Sequence, residues 1–218
     1  MIAKERLFES RGSLSSALAA DVANALQHHV MSKGKACLAV SGGTTPKLFF
    51  ETLSRIDIPW SKIAITLVDD RQVPGTSPRS NAKLVRENLL QNRAAGAEFI
   101  PLFENHDADK TAPLDIVILG MGNDGHTASL FPGGDHLADA IDPKTEKRLI
   151  EISAPAAGEP RLTFTLPAIL EASLLCLHIE GQEKRDVLNK ALAEGPVEAM
   201  PIRAVLRSKK PLTLYWCP

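Results

Sequence analysis

The chain has 218 residues, and its 25 lysines and arginines nearly balance its 26 aspartates and glutamates. Apolar residues make up 44% of the sequence and charged residues 23%, which is typical of a globular domain. This composition excludes a disordered chain, a fibre and a disulfide-stapled miniprotein, and the balanced charge argues against a broad nucleic-acid-binding surface. We therefore expect a single domain over residues 1–218 that binds its ligand at a local site.

The N-terminal residues show no apolar signal segment, and no stretch approaches the roughly 18 apolar residues of a membrane-spanning helix. The three cysteines, Cys37, Cys176 and Cys217, form no C-x-x-C motif, so neither a zinc ribbon nor a redox dithiol is indicated. Cys37 and Cys176 lie in apolar runs and are predicted to be core residues. We expect a cytoplasmic protein with no membrane partner and no nucleic-acid partner.

Taken in chain order, the hydrophobic pattern predicts alternating helices and short apolar strands. An apolar stripe at spacings of three and four predicts a helix over residues 13–31, which Gly34 would cap. Further helices are predicted over residues 47–55 and 183–193, and residues 132–145 are predicted to form a loop or flap. Strands are predicted over residues 36–40, 63–68, 114–119, 148–152, 174–179 and 212–216. Such alternation indicates an α/β fold with a mostly parallel sheet and helices on both faces.

The first candidate site lies between a predicted strand and a predicted helix, in the sequence S-G-G-T-T-P from Ser41 to Pro46. Gly42 and Gly43 would let the backbone approach a ligand closely, and Thr44 and the N–H groups at the helix start could hold an anion. The sequence matches neither a Walker loop nor a dinucleotide fingerprint. A phosphate site and an ordinary capped turn both fit this segment.

The second candidate is the sequence Asp69-Asp70-Arg71 at the end of a strand. It could hold a carboxylate beside a guanidinium, whose fork suits a phosphate or an oxyanion. Charge runs more often mark a solvated surface, and on its own this one favours that interpretation.

The third candidate, G-M-G-N-D-G-H-T from Gly120 to Thr127, follows an apolar strand. Its three glycines indicate tight turns that would carry Asp124 and His126 to the mouth of the strand. Histidine titrates near neutral pH, so His126 is the natural general base, and Asp124 could orient it. A structural loop with a hydrogen-bonded histidine is the alternative, and placement at the strand end favours a function.

Arg161 and Lys184 are two further candidates. Each on its own is typical of a surface charge, and each becomes a candidate ligand contact only as part of a phosphate-binding site. Lys184 would start a helix, where a cation opposes the helix dipole unless an anion is bound. His178 falls within a strand pattern, and the other histidines rank below His126: His28, His29, His106 and His136. No pair of residues has the spacing of metal ligands, so neither a metal nor another cofactor is expected.

Together, these motifs resemble the 6-phosphogluconolactonase family of the glucosamine/galactosamine-6-phosphate isomerase superfamily. The resemblance rests on S-G-G-T-T-P, D-D-R-x-V-P with Ser80-Asn81 downstream, G-M-G-x-D-G-H-T-A-S-L-F-P, P-R-L-T-F-T-L-P-A-I-L and G-x-x-K, in this order between Ser41 and Lys184. The family pattern usually reads D-E-R where this chain has Asp70, which leaves the role of the middle carboxylate open.

The resemblance implies a Rossmann-like sheet of the sugar-phosphate isomerase and deaminase type. It also implies hydrolysis of 6-phospho-D-glucono-1,5-lactone in the oxidative pentose phosphate pathway. Separately from the resemblance, we expect a monomer, and the labile ester needs neither a metal nor another cofactor. His126 would activate water, and the cations would contact the substrate, chiefly its phosphate, beside the glycine-rich loop. The implied catalytic residues are His126, Asp124 and Arg71, and the implied substrate-binding residues are Ser41, Gly42, Gly43, Thr44, Asp69, Arg161 and Lys184.

Two alternatives remain at this point. An amino-sugar-phosphate deaminase or isomerase would share this fold, but such deaminases tend to carry an acid after the glycine-framed histidine, where this chain has Phe131 nearby. A non-catalytic sugar-phosphate sensor would need an output element, and the segment before Ala36 holds only one clear helix.

Overall fold

A computed structural model of the chain describes residues 1–103 and 113–218. Its strands are β1 (Ile2–Leu7), β2 (Ala36–Val40), β3 (Ile63–Leu67), β4 (Asp69–Arg71), β5 (Glu98–Ile100), β6 (Ile116–Leu119), β7 (Leu149–Ile152), β8 (Arg161–Phe164), β9 (Leu174–Glu180) and β10 (Leu212–Cys217). Its α-helices are α1 (Arg11–Lys33), α2 (Lys47–Leu53), α3 (Asn81–Asn88), α4 (Leu137–Ile141), α5 (Leu166–Ile169), α6 (Gln182–Leu192) and α7 (Ile202–Leu206). Short 3₁₀ helices occupy Trp60–Lys62 and Asn92–Gly96.

Seven strands form a parallel sheet in the order β1-β10-β9-β6-β2-β3-β5. From β2 the chain moves outward to β3 and β5, and it then returns to place β6 on the other side of β2. The strand order therefore reverses between β2 and β6. In open α/β sheets the ligand site lies beyond the carboxyl ends of the strands at such a reversal.

A second sheet is small and antiparallel, in the order β4-β8-β7. It begins directly after β3, because only Val68 separates β3 from β4. In its register Arg71 of β4 lies opposite Arg161 of β8. The second sheet thus brings the D-D-R motif to the same edge of the main sheet as the loops after β2 and β6.

The core supports the predicted layered fold. Every residue of β2 and β6 is buried, which means that both faces of the central sheet are covered. Helix α1 begins at the Ser10 N-cap, whose hydroxyl accepts from the Ser13 amide, and ends at Gly34 with φ of 81°. The left-handed Gly34 cap is as predicted. The mostly parallel α/β fold flanked by helices is confirmed, and all three cysteines are buried and free.

Several predicted elements differ from the structure. The strand predicted at residues 148–152 exists as β7, but it pairs in the antiparallel sheet and not in the main one. The predicted flap at residues 132–145 contains α4, and its Leu137 and Ala140 pack with Ile150 and Ile152 in a small separate cluster. β1 and β5 were not predicted, because both are short sheet edges with mixed polarity.

Two predictions have no structural outcome: His106 lies outside the described residues, and the single domain over residues 1–218 stays a prediction. Within residues 1–103 and 113–218, no helix is long and apolar enough to cross a membrane.

Candidate active site

A cavity of about 290 Å³ lies at the carboxyl ends of the strands where the strand order reverses. Nine of the ten predicted site residues line it, namely Ser41, Gly42, Gly43, Thr44, Asp69, Arg71, His126, Arg161 and Lys184. The tenth, Asp124, is not part of the lining but is hydrogen-bonded to His126. The structure therefore gathers residues separated by more than 140 positions into one site.

The glycine-rich loop is tied to the loop that follows β6. The Ser41 hydroxyl donates to the carbonyl oxygen of Ile118 at 2.9 Å and accepts from the amide of Gly120 at 3.0 Å. A Cβ atom on Gly42 would lie only 1.9 Å from Oδ1 of Asn81, so any other residue here would displace the Asn81 amide. Gly43 has φ of 90°, which glycine adopts without strain. The backbone of this loop is consequently open to a ligand at the start of α2.

His126 is held in a defined orientation by its own loop. Its Nδ1 lies 2.6 Å from Oδ1 of Asp124, and the same oxygen accepts the His126 backbone N–H at 3.0 Å. A Cβ atom on Gly122 would lie 2.1 Å from Nδ1 and Cε1 of the ring, so Gly122 makes room for the imidazole. Burial alone would raise the pKa of Asp124, but the hydrogen bonds and charge of His126 lower it below its ordinary value. Asp124 is therefore a carboxylate that accepts from Nδ1, which leaves the lone pair on Nε2.

The segment after His126 packs the base against an aromatic ring. The rings of His126 and Phe131 are 4.2 Å apart between centroids, and the guanidinium of Arg161 lies 5.4 Å from the centre of the same Phe131 ring. Ala128 has φ of 50°, an uncommon conformation for a residue with a side chain, and it lines the cavity. The Ser129 hydroxyl donates to the buried carboxylate of Asp69 at 2.5 Å, which fixes this turn against β4.

Arg71 and Arg161 form an unusual like-charge pair. They lie directly opposite each other in the β4–β8 register, where like charges destabilise a sheet. Burial lowers the pKa of Arg161, and the nearby charge of Arg71 lowers it further. Among the described residues, the buried Nε of each arginine has no hydrogen-bond partner. An anion between the two guanidinium groups would relieve both the repulsion and the missing hydrogen bonds.

Arg71 and Arg161 form a cationic wall of the cavity, and the uncharged Asn81 lies beside it. Asn81 is not among the site residues predicted from the sequence. Its Oδ1 accepts from Nη1 of Arg71 at 2.9 Å, and its Nδ2 donates to the carbonyl oxygen of Asp69 at 2.9 Å. Asn81 is buried and also lines the cavity. Its position at the start of α3, after the N-cap Ser80, was a signal that could have identified it.

Asp70, the residue that departs from the family pattern, binds backbone amides next to the site. Its carboxylate is buried and accepts from the amides of Arg71, Asn81 and Ala82 at 2.8, 2.7 and 3.1 Å. Burial raises the pKa of Asp70, and these hydrogen bonds oppose that rise. Asp70 therefore joins β4 to the start of α3 and does not line the cavity.

Lys184 also lines the cavity, and it lies in the first turn of α6. It is partly buried, and burial lowers the pKa of its ammonium group. An anionic ligand nearby would offset the free-energy cost of burying the ammonium charge. His178 of β9, which sequence reasoning ranked low, also lines the cavity. Among the described residues, no group of three histidine, cysteine, aspartate or glutamate side chains is arranged to hold a metal ion.

Comparisons with known proteins agree with this geometry. The family model described as glucosamine-6-phosphate isomerases/6-phosphogluconolactonase matches residues 9–216. The chain is 48% identical to a 6-phosphogluconolactonase of Rhizobium meliloti (strain 1021), over all of both proteins. It is also similar to the crystal structure of a 6-phosphogluconolactonase from Shewanella baltica OS155, with 39% identity, a TM-score of 0.94, and coverage of 99% of this chain and 97% of that one.

A structure of a monomeric glucosamine-6-phosphate deaminase shares the fold alone. Its TM-score is 0.77 at 19% identity, with 98% of this chain and 97% of that chain covered. The fold is therefore common to both reactions, and the residues of the site must distinguish them.

Proposed function

The chain belongs to the family of glucosamine-6-phosphate isomerases and 6-phosphogluconolactonases, and on that premise we propose that it hydrolyses 6-phospho-D-glucono-1,5-lactone to 6-phospho-D-gluconate. This is the lactone step of the oxidative pentose phosphate pathway. A cytoplasmic location and a monomeric state are parts of the same proposal. One observation carries the assignment: the imidazole of His126, whose Nδ1 is hydrogen-bonded to Asp124, lines the same cavity as Lys184 and two arginines whose buried Nε atoms have no partner among the described residues.

The reaction needs a base for water, and His126 is suited to that role. Because Asp124 accepts from Nδ1, Nε2 takes a proton from a water molecule, and the oxygen of that water attacks the lactone carbonyl carbon. The imidazolium that forms is stabilised by the carboxylate of Asp124. It then returns its proton to the ring oxygen as the bond between that oxygen and the carbonyl carbon breaks. A positioned base of this kind contributes about 10²–10⁴-fold to a rate.

The cations bind the substrate and stabilise developing charge. Arg71, Arg161 and Lys184 would hold the phosphate and the oxyanion, together with backbone N–H groups from Gly42 to Thr44 at the start of α2. Anchoring the remote phosphate holds the lactone ring against His126, so binding energy is used to orient the reacting carbonyl. The close contact of Phe131 with His126 keeps the base from turning away.

The decisive experiment compares the wild type with His126→Ala in a coupled assay on freshly made lactone, corrected for spontaneous ring opening. We expect kcat to fall by about 10²–10⁴-fold in the variant, with its circular dichroism unchanged. His28→Ala is the matched control, because His28 is exposed on α1 and does not line the cavity. A His126→Ala variant with near-wild-type kcat would exclude the role of the base.

The same purified proteins also test the two alternatives, an amino-sugar-phosphate deaminase and a non-catalytic sensor. Release of ammonia from glucosamine 6-phosphate, without lactone turnover, would assign the site to a deaminase. Binding of 6-phosphogluconate without any turnover of the lactone would assign it to a sensor.

A further inference from the structure

His178 has a polar atom that the proposed reaction does not use. Its side chain is only 2% exposed, it lines the cavity, and it lies on β9 between β10 and β6. Its buried Nδ1 makes no hydrogen bond to any residue within the described parts of the chain. Burying such a group without a partner is costly, so a buried imidazole nitrogen beside a ligand cavity points to a ligand contact.

The contacts of the other ring nitrogen settle what Nδ1 can do. Nε2 lies 3.2 Å from Oε1 of Glu180, and Oε2 of the same carboxylate lies 2.9 Å from Nε of Arg11. The Glu180 side chain is thus held against a guanidinium as a hydrogen-bond acceptor, and Nε2 of His178 donates to it. In a neutral imidazole, Nδ1 then carries the lone pair and is an acceptor. Phe49 packs edge-on against the ring at 6.3 Å between centroids and helps to hold it in place.

Apart from Nε2 of His126, which the proposed reaction uses, and the threonine hydroxyls of the glycine-rich loop, few side-chain acceptors line this cavity. Three other side-chain acceptors that line it already have donors: Ser41 Oγ accepts from Gly120, Asn81 Oδ1 from Arg71, and Asp69 Oδ2 from Ser129. The cationic groups and loop amides that would hold a phosphate or an oxyanion are all donors. The part of a ligand that needs an acceptor is therefore a hydroxyl group and not an anionic oxygen.

We infer that Nδ1 of His178 accepts a hydrogen bond from one ring hydroxyl of the phosphosugar lactone, which makes His178 a specificity-determining residue for a hydroxylated ring. The inference rests on the proposed lactone substrate. The lactone carries hydroxyl groups on C2, C3 and C4, and His178 reads one of these three. Glu180 and Arg11 act as positioning residues, because they fix which nitrogen carries the proton.

The test combines two isosteric variants with deoxy substrates. His178→Gln keeps a polar group near Nε2, towards Glu180, and leaves none at the position of Nδ1, whereas His178→Asn does the reverse. The substrates are the parent lactone and its 2-deoxy, 3-deoxy and 4-deoxy forms, each bearing the 6-phosphate. For the parent lactone we expect kcat/KM of His178→Gln to fall roughly tenfold, and that of His178→Asn to fall less.

We expect the loss of kcat/KM in His178→Gln to disappear with one of the deoxy substrates. For the analogue that lacks the contacted hydroxyl, His178→Gln should lose less than about twofold against the wild type, since the hydrogen bond is already missing. The other two analogues should show the full loss. Equal losses with all four lactones would overturn the inference in favour of a phosphate contact or a structural role, and no loss with any of them would overturn it as well.

A measurement on the unsubstituted protein covers the case in which the variants do not fold. The ¹⁵N resonance of His178 Nδ1 should move upfield when 6-phosphogluconate binds, as it does when a nitrogen lone pair accepts a hydrogen bond. It should not do so with the deoxy product that lacks the contacted hydroxyl, and an unmoved resonance with the parent product would contradict the inference. Failure of the wild type to hydrolyse the parent lactone would instead overturn the proposed function itself.

Discussion

Substituting Asp124 by asparagine tests how the carboxylate assists His126. Asparagine has the same shape, and its Oδ1 can still accept the backbone N–H and the Nδ1–H of His126, so the ring should keep its orientation. The variant loses only the negative charge that stabilises the imidazolium in the transition state. Two unit charges about 4 Å apart interact by about 1 kcal/mol in water and about 4 kcal/mol near a protein surface.

The exposure of the pair places the expected effect between these limits. The side chains of His126 and Asp124 are 30% and 38% exposed, so solvent screens a large part of the attraction. We take about 2 kcal/mol, which corresponds to a decrease in kcat of roughly thirtyfold with little change in KM. Removal of the remote, exposed carboxylate in Asp139→Asn should leave kcat unchanged.

The assay is the coupled measurement of lactone hydrolysis, with kcat and KM determined separately for each variant. A kcat of Asp124→Asn within twofold of the wild type would show that the charge contributes nothing. A loss as large as that of His126→Ala would show that the amide had reversed the tautomer of the ring, which would refute the purely electrostatic account.

Three further predictions concern the loops and charges around the site. Gly122→Ala should lower kcat at least tenfold, because its Cβ would overlap the His126 ring, whereas Gly96→Ala, with open space around its Cβ, should not. Lys184→Met should raise the melting temperature of the unliganded protein by about 1–2 °C at neutral pH while weakening 6-phosphogluconate binding in calorimetry. Because folding lowers the pKa of Lys184, the destabilisation from burying its ammonium group is present while that group is protonated and disappears as pH rises towards 10.5. A gain in melting temperature that persisted above that pH would contradict the explanation. Asp70→Asn should lower the free energy of unfolding by about 2 kcal/mol in urea titrations, because the side-chain NH₂ of asparagine would face the N–H of Ala82. A loss of stability no larger than that of the exposed Asp139→Asn would contradict this prediction.

The main sheet and most of the site could be predicted because they follow from local sequence. Strands β2 and β6 are continuous apolar runs, and each ends in a glycine-rich motif. Parallel strands bring their carboxyl ends to one edge, so the neighbourhood of Gly42 and His126 follows from the fold class. The strand edges β1 and β5 could not be predicted, because their residues are mostly exposed or partly buried and carry no clear period.

The remaining site residues depend on contacts between distant segments. The Ser80-Asn81 pair marks a helix start, but the sequence does not show that the Asn81 amide lies between Gly42 and Arg71. Likewise, the pairing of Arg71 with Arg161 depends on the register of the second sheet. The sequence places His178 inside a strand pattern, where a histidine is most often an ordinary core residue. Only the three-dimensional structure shows that one nitrogen is satisfied by Glu180 and the other is not.

The cationic wall of the cavity is better suited to a ligand-bound state than to an empty one. Arg71 and Arg161 face each other across two strands, and burial lowers the pKa values of Arg161 and Lys184, so folding without an anion carries an electrostatic cost. A phosphate bound there, as we propose, would remove that cost, because any ligand that binds only the folded state stabilises it. The near-zero net charge of the chain conceals this arrangement, because a few cations at the strand ends create a local positive field that the other charged residues balance elsewhere. If the proposed function holds, the same cations that weaken the empty protein would favour binding of a phosphorylated lactone over a neutral one.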